Sequence, residues 1–147
     1  FYYFAIKKTE LVETKKFFLE LQSIPDNLYT VEEFLLKIAE EMAIEEDKLY
    51  GIMLSVSEAT TNAIFHANKQ NPEKTVTLNI TVSDGLFVVS IKDQGPGFNP
   101  TSIPDPTKPE NLLKDSGRGL FLMRIYSKSL SFYPSPLGTE TVLEFEI

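Results

Sequence analysis

The sequence predicts an α+β fold: a two-layer α/β sandwich in which helices cover one face of a mixed, mostly antiparallel sheet. Three observations lead to this prediction. Strand-forming segments occur near the start, in the middle and at the end of the chain; segments with helical apolar spacing lie between them; and short turn signals separate neighbouring strands. The predicted order is strand, two helices, two strands, a long loop, a helix and two strands.

The predicted fold starts with a strand and a helix. FFLELQ at 17–22 alternates weakly and ends before Pro25 and Asp26, which indicates a strand followed by a turn. TVEEFLLKIAEEMA follows, with apolar residues at helical spacing. Thr30 and Glu33 match the pattern of a capping box at the start of this helix.

A second helix is predicted from about Asp47 to Ala67. Beyond it, TVTLNITV at 75–82 and LFVVSIK at 86–92 are predicted strands. Ser83-Asp84-Gly85 between them is a good hairpin signal, so we expect the two strands to pair.

The last third of the chain begins with a long predicted loop at 94–116. A loop of about this length inside a compact domain is usually functional or disordered. A third helix is predicted from Gly117, and LSFY at 130–133 and TVLEFEI at 141–147 are predicted closing strands around the turn Pro136-Leu137-Gly138.

The composition excludes several classes of site. The chain has 147 residues, enough for one domain with a real core, and no cysteine, which excludes disulfides and cysteine-based metal sites. The single histidine, together with the absence of cysteine, argues against a structural zinc site. The formal charge of −7 argues against non-specific nucleic-acid binding but not against a nucleotide ligand. No apolar run approaches the roughly 18–20 residues of a membrane span, so a cytoplasmic protein is the simplest interpretation.

The first residues that could bind a metal ion or act in catalysis lie on the second predicted helix, in SVSEATTNAIFHA. At about 100° per residue, Glu58, Asn62 and His66 fall on one stripe, away from the apolar stripe. This stripe fits the solvated face of an amphipathic helix. Most such faces do nothing else; the functional alternative is a carboxylate and an amide that hold Mg²⁺ or a water, with Glu58 as a general base.

Three further motifs occur at the ends of predicted elements. Asp93, Gly95 and Gly97 follow a strand, where the aspartate can accept from an amino group and the glycines let a ligand approach the backbone; the alternative is a tight surface turn. Gly117 and Gly119 precede a helix, where free N–H groups form an anion site, although a lone G-x-G is weak evidence. Thr139 by itself is an ordinary strand entry.

The order and separation of these motifs carry more information than each motif alone. E-x-x-x-N on a helix, D-x-G-x-G after a strand, G-x-G before a helix and G-T before the last strand closely resemble the GHKL ATPase superfamily, which includes gyrase, histidine kinases and MutL. SVSEATTNAIFHA together with SGRGLFLMR looks most like the bacterial anti-sigma factor serine/threonine kinases. The resemblance covers residues 16–147, implies the Bergerat ATP-binding fold, and leaves residues 1–15 without an assigned role.

The resemblance implies an adenine-binding group of residues. Asp93 would accept from the adenine amino group, and Gly95 and Gly97 would let the base and sugar lie against the chain. Thr139 would join Asp93 at the adenine. The valine after Gly138-Thr139 comes one residue later than in the commonest family pattern, so Thr141 is an alternative to Thr139.

The resemblance also implies a phosphate-binding group with the catalytic residue. This phosphate-binding group consists of Gly117, Arg118, Gly119 and Leu120. Their backbone N–H groups would cradle the phosphates, which would close the 98–116 loop as a lid. Asn62 would hold Mg²⁺ that bridges the phosphates. Glu58 would orient and deprotonate the acceptor, a water or a protein hydroxyl.

The function that the resemblance implies is that of a regulatory protein kinase. It would transfer the γ-phosphoryl group of ATP to a serine or threonine of a STAS-type antagonist and would bind and block a sigma factor, and the resemblance also allows a homodimer. One alternative is a nucleotide-gated binding module that switches partners without phosphorylation, and another is a detached sensor-kinase ATPase domain. The kinase requires Glu58 to reach an acceptor hydroxyl, whereas the switch requires only that the lid becomes ordered.

Overall fold

The computed structural model describes residues 13–97 and 115–147, which form one sheet with helices packed on it. The elements in chain order are β1 (Lys15–Gln22), α1 (Asn27–Glu41), α2 (Glu46–Thr61), a π-helix (Asn62–Ala67), β2 (Thr75–Ser83), β3 (Leu86–Lys92), α3 (Asp115–Tyr126), β4 (Ser129–Ser135) and β5 (Gly138–Glu146). The predicted order of elements is confirmed. The predicted lid falls mostly on residues 98–114, which lie outside the described residues, as do residues 1–12 of the N-terminal segment.

The sheet has five strands in the order β1-β2-β3-β5-β4. Each neighbouring pair of these strands is antiparallel, so the described sheet contains none of the parallel pairing that a mixed sheet would have. Asp84 and Gly85 link β2 to β3 with φ of 49° and 72°, the positive values that a two-residue hairpin turn of type I′ requires. The predicted hairpin therefore forms at the expected place.

The hydrophobic core lies between the helices and one face of the sheet. Along β2 and β3, alternate side chains are buried and the intervening ones are more exposed, as expected when one face of a sheet is covered. Each fully buried aliphatic or aromatic side chain stabilises the fold by about 1.5–3 kcal/mol relative to exposure. The core includes Val31, Leu35 and Ile38 of α1, Ile52 and Val56 of α2, Leu78 and Ile80 of β2, Phe87 and Val89 of β3, and Leu143 and Phe145 of β5.

The start of α1 differs from the prediction. The helix begins at Asn27, one turn before Thr30, and its flanking residue makes no side-chain capping hydrogen bond, so the predicted capping box is wrong. Thr30 Oγ1 instead donates to Asn27 Oδ1 at 3.4 Å. The reason is that the turn after β1 already supplies acceptors, because the amides of Asn27 and Leu28 donate to the carbonyls of Ile24 and Pro25. Leu28 also packs against the core, which favours the additional turn.

The second predicted helix is in fact two kinds of helix. α2 ends at Thr61, and residues 62–67 form a π-helix. The amide of Asn62 still donates to the Glu58 carbonyl, so the regular spacing holds between these two residues. It fails beyond Asn62 because a π-helix has a wider turn, and the predicted single stripe does not extend to His66, which is exposed.

The third helix starts two residues earlier than predicted. α3 begins at Asp115, so Gly117 and Gly119 lie inside the helix rather than before it. Asp115 and Ser116, which the sequence assigned to the long loop, belong to this helix as well. None of the helices in the described residues is long and apolar enough to cross a membrane.

Candidate functional site

The carboxylate of Asp93 is fixed at the end of β3 by backbone donors. Its Oδ1 accepts from the amides of Gly95 and Thr139, each at 3.0 Å. The Asp93 amide in turn donates to the Thr139 carbonyl at 3.0 Å, which continues the β3–β5 pairing past the strand end. Within the described residues no hydrogen bond uses Oδ2, so this oxygen remains available to a ligand.

Thr139 places a second polar atom beside this carboxylate. Thr139 is 3% exposed, and its Oγ1 has no hydrogen-bond partner in the described part of the chain. A buried hydroxyl without a partner costs about 1–3 kcal/mol, so such atoms are uncommon unless a ligand or water supplies the partner. Thr141 lies farther along β5, opposite Ile91, so of the two predicted threonines it is Thr139 that contacts Asp93.

The two glycines after Asp93 are required by the protein's own backbone. A Cβ on Gly95 would lie 2.7 Å from the carbonyl oxygen of Ala67, and one on Gly97 would lie 2.6 Å from that of Ser135. Gly97 also has a φ of 78°, which other residues adopt at a cost. The turn is therefore pressed between the end of the π-helix and the end of β4, a reason for the bare backbone that the ligand hypothesis did not include.

Glu58 and Asn62 lie at the junction of α2 with the π-helix, both of them half-buried. Short π-helical segments inside helices occur frequently at functional sites. A Cβ on Gly119 would lie 2.5 Å from Glu58 Oε2, so α3 passes directly against this carboxylate. The structure thus brings the predicted base together with the second glycine of the G-x-G motif.

The remaining predicted residues lie on α3. Gly117 and Arg118 belong to its first four residues, whose amides have no intrahelical acceptor, and the Arg118 side chain is exposed. Leu120 is 4% exposed and packs in the hydrophobic core, and its amide lies beyond the first four of α3, so this helix position offers a ligand neither a side chain nor an unpaired N–H. These residues form one group with Glu58, while Asp93, Gly95 and Thr139 form the other.

The π-helix connects the two groups of residues. Asn62 at its first position adjoins Glu58, and Ala67 at its last position packs against Gly95. An arrangement of this kind can hold an elongated ligand that has a hydrogen-bonding ring at one end and an anionic group at the other.

The chain matches one family of known domains. The family model of the histidine kinase-like ATPase domain matches residues 21–145. The chain belongs to the histidine kinase-like ATPase family. The resemblance that the sequence motifs indicated is therefore confirmed, and ATP is the ligand that an ATPase domain of this family implies.

Curated relatives of this ATPase domain include several anti-sigma F factors. The protein of Bacillus subtilis (strain 168) is 36% identical over 100 residues, a match that covers 63% of this chain and 66% of the relative, just under two thirds of its length. The protein of Geobacillus sp. (strain WCH70) is 40% identical over 81 residues, covering 52% of this chain and 54% of the relative.

Solved structures confirm the fold of the ATPase domain. The RsbU and RsbW domains of a Mycobacterium tuberculosis protein superpose with a TM-score of 0.68 at 16% identity, covering 90% of this chain and 32% of that one. The histidine kinase domain of a blue-light activated histidine kinase from Erythrobacter litoralis gives a TM-score of 0.51 at 23% identity, covering 67% of this chain and 44% of that one.

The polar atoms of the ATPase domain fit the ligand. Asp93 Oδ2 can accept from an exocyclic amino group, and the Thr139 hydroxyl can donate to or accept from a neighbouring ring or water. The described residues offer few ligands for a metal ion, because they contain no group of three or more His, Asp or Glu side chains that could hold one. Mg²⁺ commonly keeps several waters and takes phosphate oxygens as ligands, so a site with few protein ligands is compatible with this ion.

Sequence reasoning missed Asn68, which is 1% exposed and holds the ATPase domain's Asp93 turn. Its Nδ2 donates to Ser23 Oγ at 2.9 Å and to the Thr75 carbonyl at 3.0 Å, and its Oδ1 accepts from the Gln94 amide at 2.8 Å. The only sequence signal is an asparagine after a helix, which is typical of ordinary helix ends. Two of its partners, Ser23 and Gln94, are distant in sequence, so the fold was needed to find it.

Proposed function

We propose that this chain is an ATP-dependent regulatory serine/threonine protein kinase that acts as an anti-sigma factor. It transfers the γ-phosphoryl group of ATP to a STAS-type antagonist protein and binds a sigma factor in the cytoplasm. The observation that carries the nucleotide part is the unpartnered, buried Thr139 hydroxyl beside the fixed carboxylate of Asp93. The regulatory part is supported by the anti-sigma F factors that are 36–40% identical over the matched segments.

In the proposed complex the adenine lies at the ends of β3 and β5. Asp93 Oδ2 accepts from the adenine amino group while Oδ1 stays bound to its two backbone donors. Thr139 Oγ1 obtains the partner that it otherwise lacks. Gly95 and Gly97 let the turn pack against Ala67 and Ser135 and so hold the main chain of the turn beside the base and sugar. The specificity for adenine comes from a carboxylate that can only accept hydrogen bonds.

The phosphates in this proposal lie toward α3 and the end of α2. The amides of Gly117 and Arg118 at the start of α3 face the phosphates, Gly119 and Leu120 follow them in the helix, and Asn62 holds the Mg²⁺ that neutralises the phosphate charge. Glu58 accepts the proton of the acceptor hydroxyl while the oxygen of that hydroxyl bonds to the γ-phosphorus. The bond from that phosphorus to the bridging oxygen breaks, and ADP leaves with the electron pair. Such transfer depends mainly on positioning and electrostatics.

The decisive experiment is an assay for a phosphorylated protein product. The wild-type chain is incubated with Mg²⁺, ATP and each purified STAS protein from the same genome, and phosphoserine and phosphothreonine are mapped by mass spectrometry. We expect one antagonist to be phosphorylated at a single residue. ATP binding without any phosphorylated STAS protein would contradict the kinase and favour the nucleotide-gated switch.

The partner proposals require a separate binding experiment. Purified sigma factors from the same genome are mixed with the chain in the presence of ATP or ADP, and complexes are measured by analytical ultracentrifugation. We expect one sigma factor to form a nucleotide-dependent complex, and the same data give the mass of the chain alone, which tests the proposed homodimer. Failure of every sigma factor to bind would contradict the anti-sigma role while leaving ATP binding intact.

A further inference from the structure

The Asn68 side chain connects three parts of the chain that are distant in sequence. It donates to Ser23 just after β1 and to Thr75 at the start of β2, and it accepts from the backbone amide of Gln94 after β3. Its two N–H donors and its carbonyl oxygen are thus all used in a buried site. A buried polar group that is fully satisfied in this way is strongly specified in orientation.

The backbone around Asn68 restricts this side chain further. The Asn68 amide donates to the Ala63 carbonyl, and the Gln70 amide donates back to the Ile64 carbonyl at 2.8 Å. Lys69 and Gln70 have φ of 51° and 55°, two successive left-handed residues that are not glycine. Strained backbone of this kind persists only where the surrounding structure determines it, and it occurs often at functional sites.

The Gln94 amide that Asn68 holds is directly next to Asp93. Gln94 has a second connection to the start of β2, because its Oε1 accepts from the Thr75 amide at 2.7 Å. Asp93 itself is fixed on its other side by Thr139. Asn68 therefore contributes the buried restraint on the side of the turn that faces the π-helix, whereas β5 contributes the restraint on the opposite side.

We propose that Asn68 is a positioning residue for purine recognition: by holding the Gln94 amide it fixes the direction of Asp93 Oδ2 and so determines the preference for a 6-amino over a 6-oxo purine. The inference rests on the proposed ATP binding, and Asn68 itself does not contact the nucleotide. A 6-oxo purine such as that of inosine triphosphate presents an oxygen to the carboxylate, so a rigid carboxylate rejects it, whereas a turn that can shift tolerates it.

The test compares two variants of the same buried cluster. Asn68→Ala removes the bond to the Gln94 amide, and Ser23→Ala removes a partner of Asn68 without touching the turn. Affinities for ATP and inosine triphosphate are measured by calorimetry, and stability is measured by urea unfolding. We expect the ratio of the two affinities to fall about tenfold in Asn68→Ala and to change less than about twofold in Ser23→Ala, although both variants lose stability.

Each outcome decides a stated part of the proposal. An unchanged ratio in Asn68→Ala, or an equal fall in Ser23→Ala, would overturn the positioning role while ATP binding stands. A wild type that binds no ATP would overturn the proposed function together with this inference. If Asn68→Ala does not fold, hydrogen exchange of the wild type decides, because the Gln94 amide must then be protected like a strand amide in the nucleotide-free protein. Rapid exchange at Gln94 would overturn the inference.

Discussion

Asp93 and Thr139 hold each other by two hydrogen bonds, from the Asp93 amide to the Thr139 carbonyl and from the Thr139 amide to Asp93 Oδ1, each 3.0 Å long. The carboxylate is therefore part of the backbone pairing of the sheet as well as a candidate ligand. This arrangement uses one carboxylate oxygen for structure and leaves the other for recognition. It also brings the unpartnered Thr139 hydroxyl to the same place.

Thr139→Val should separate stability from binding. Valine replaces the hydroxyl by a methyl group of similar size, so the variant loses a buried polar atom that has no partner in the described structure. We expect the free energy of unfolding to stay the same or rise by up to about 1 kcal/mol, and the ATP affinity to fall about tenfold. Calorimetry and urea unfolding measure the two quantities.

Thr141→Val is the matched control for this change. Thr141 lies farther along the same strand, opposite Ile91, and is the alternative that the sequence left open. Its variant should bind ATP as the wild type does. A loss of affinity in Thr141→Val with none in Thr139→Val would exchange the two assignments.

Asp93→Asn should weaken ATP binding with little effect on the fold. The asparagine carbonyl oxygen can still accept from Gly95 and Thr139, but an amino group then replaces Oδ2 and cannot accept from adenine. A lost hydrogen bond to a charged group costs about 1.5–3 kcal/mol, which is roughly a tenfold to hundredfold loss of affinity. Unchanged affinity by calorimetry would remove Asp93 from the site.

Glu58→Gln should keep ATP binding nearly intact and abolish phosphoryl transfer. Glutamine preserves the size and hydrogen bonding of the side chain but cannot accept the proton, an effect worth about 10²–10⁴ in rate. Asn62→Ala is the comparison, because loss of the proposed metal ligand should lower binding and transfer together. ATP affinity and phosphoprotein formation are measured in parallel. Wild-type behaviour of both variants would remove Glu58 and Asn62 from the site.

Gly119→Ala should impair phosphoryl transfer, whereas Gly95→Ala should lower stability. The added methyl of Gly119→Ala meets Glu58 Oε2, the movable end of a side chain, whereas that of Gly95→Ala meets the main-chain carbonyl of Ala67. We expect Gly119→Ala to keep or gain stability, since alanine favours a helix, and to lose about 10²-fold in transfer because the base is displaced. Gly95→Ala should lose about 1–3 kcal/mol of stability. Urea unfolding and the transfer assay distinguish these results, and equal behaviour of the two variants would contradict the packing argument.

Much of the architecture was predictable because the determining patterns are local. Alternation in LFVVSIK specifies a strand with one covered face, and Asp84-Gly85 adopts the positive φ that a tight hairpin needs. The helix boundaries were less accurate. The start of α1 depends on carbonyls of the preceding turn, and the π-helix after Thr61 cannot be distinguished from α-helix by apolar spacing alone.

The sequence by itself determined the residue types of the candidate site and their order along the chain, because Asp93, the glycines and the helical pair of Glu58 and Asn62 follow local motifs. Only the tertiary structure decided which of them meet. The choice of Thr139 over Thr141 rests on a hydrogen bond from the Thr139 amide to the Asp93 carboxylate just after β3, and the role of Asn68 rests on partners from three separate segments. Such contacts join residues far apart in sequence, and no local pattern encodes the register and packing that bring them together.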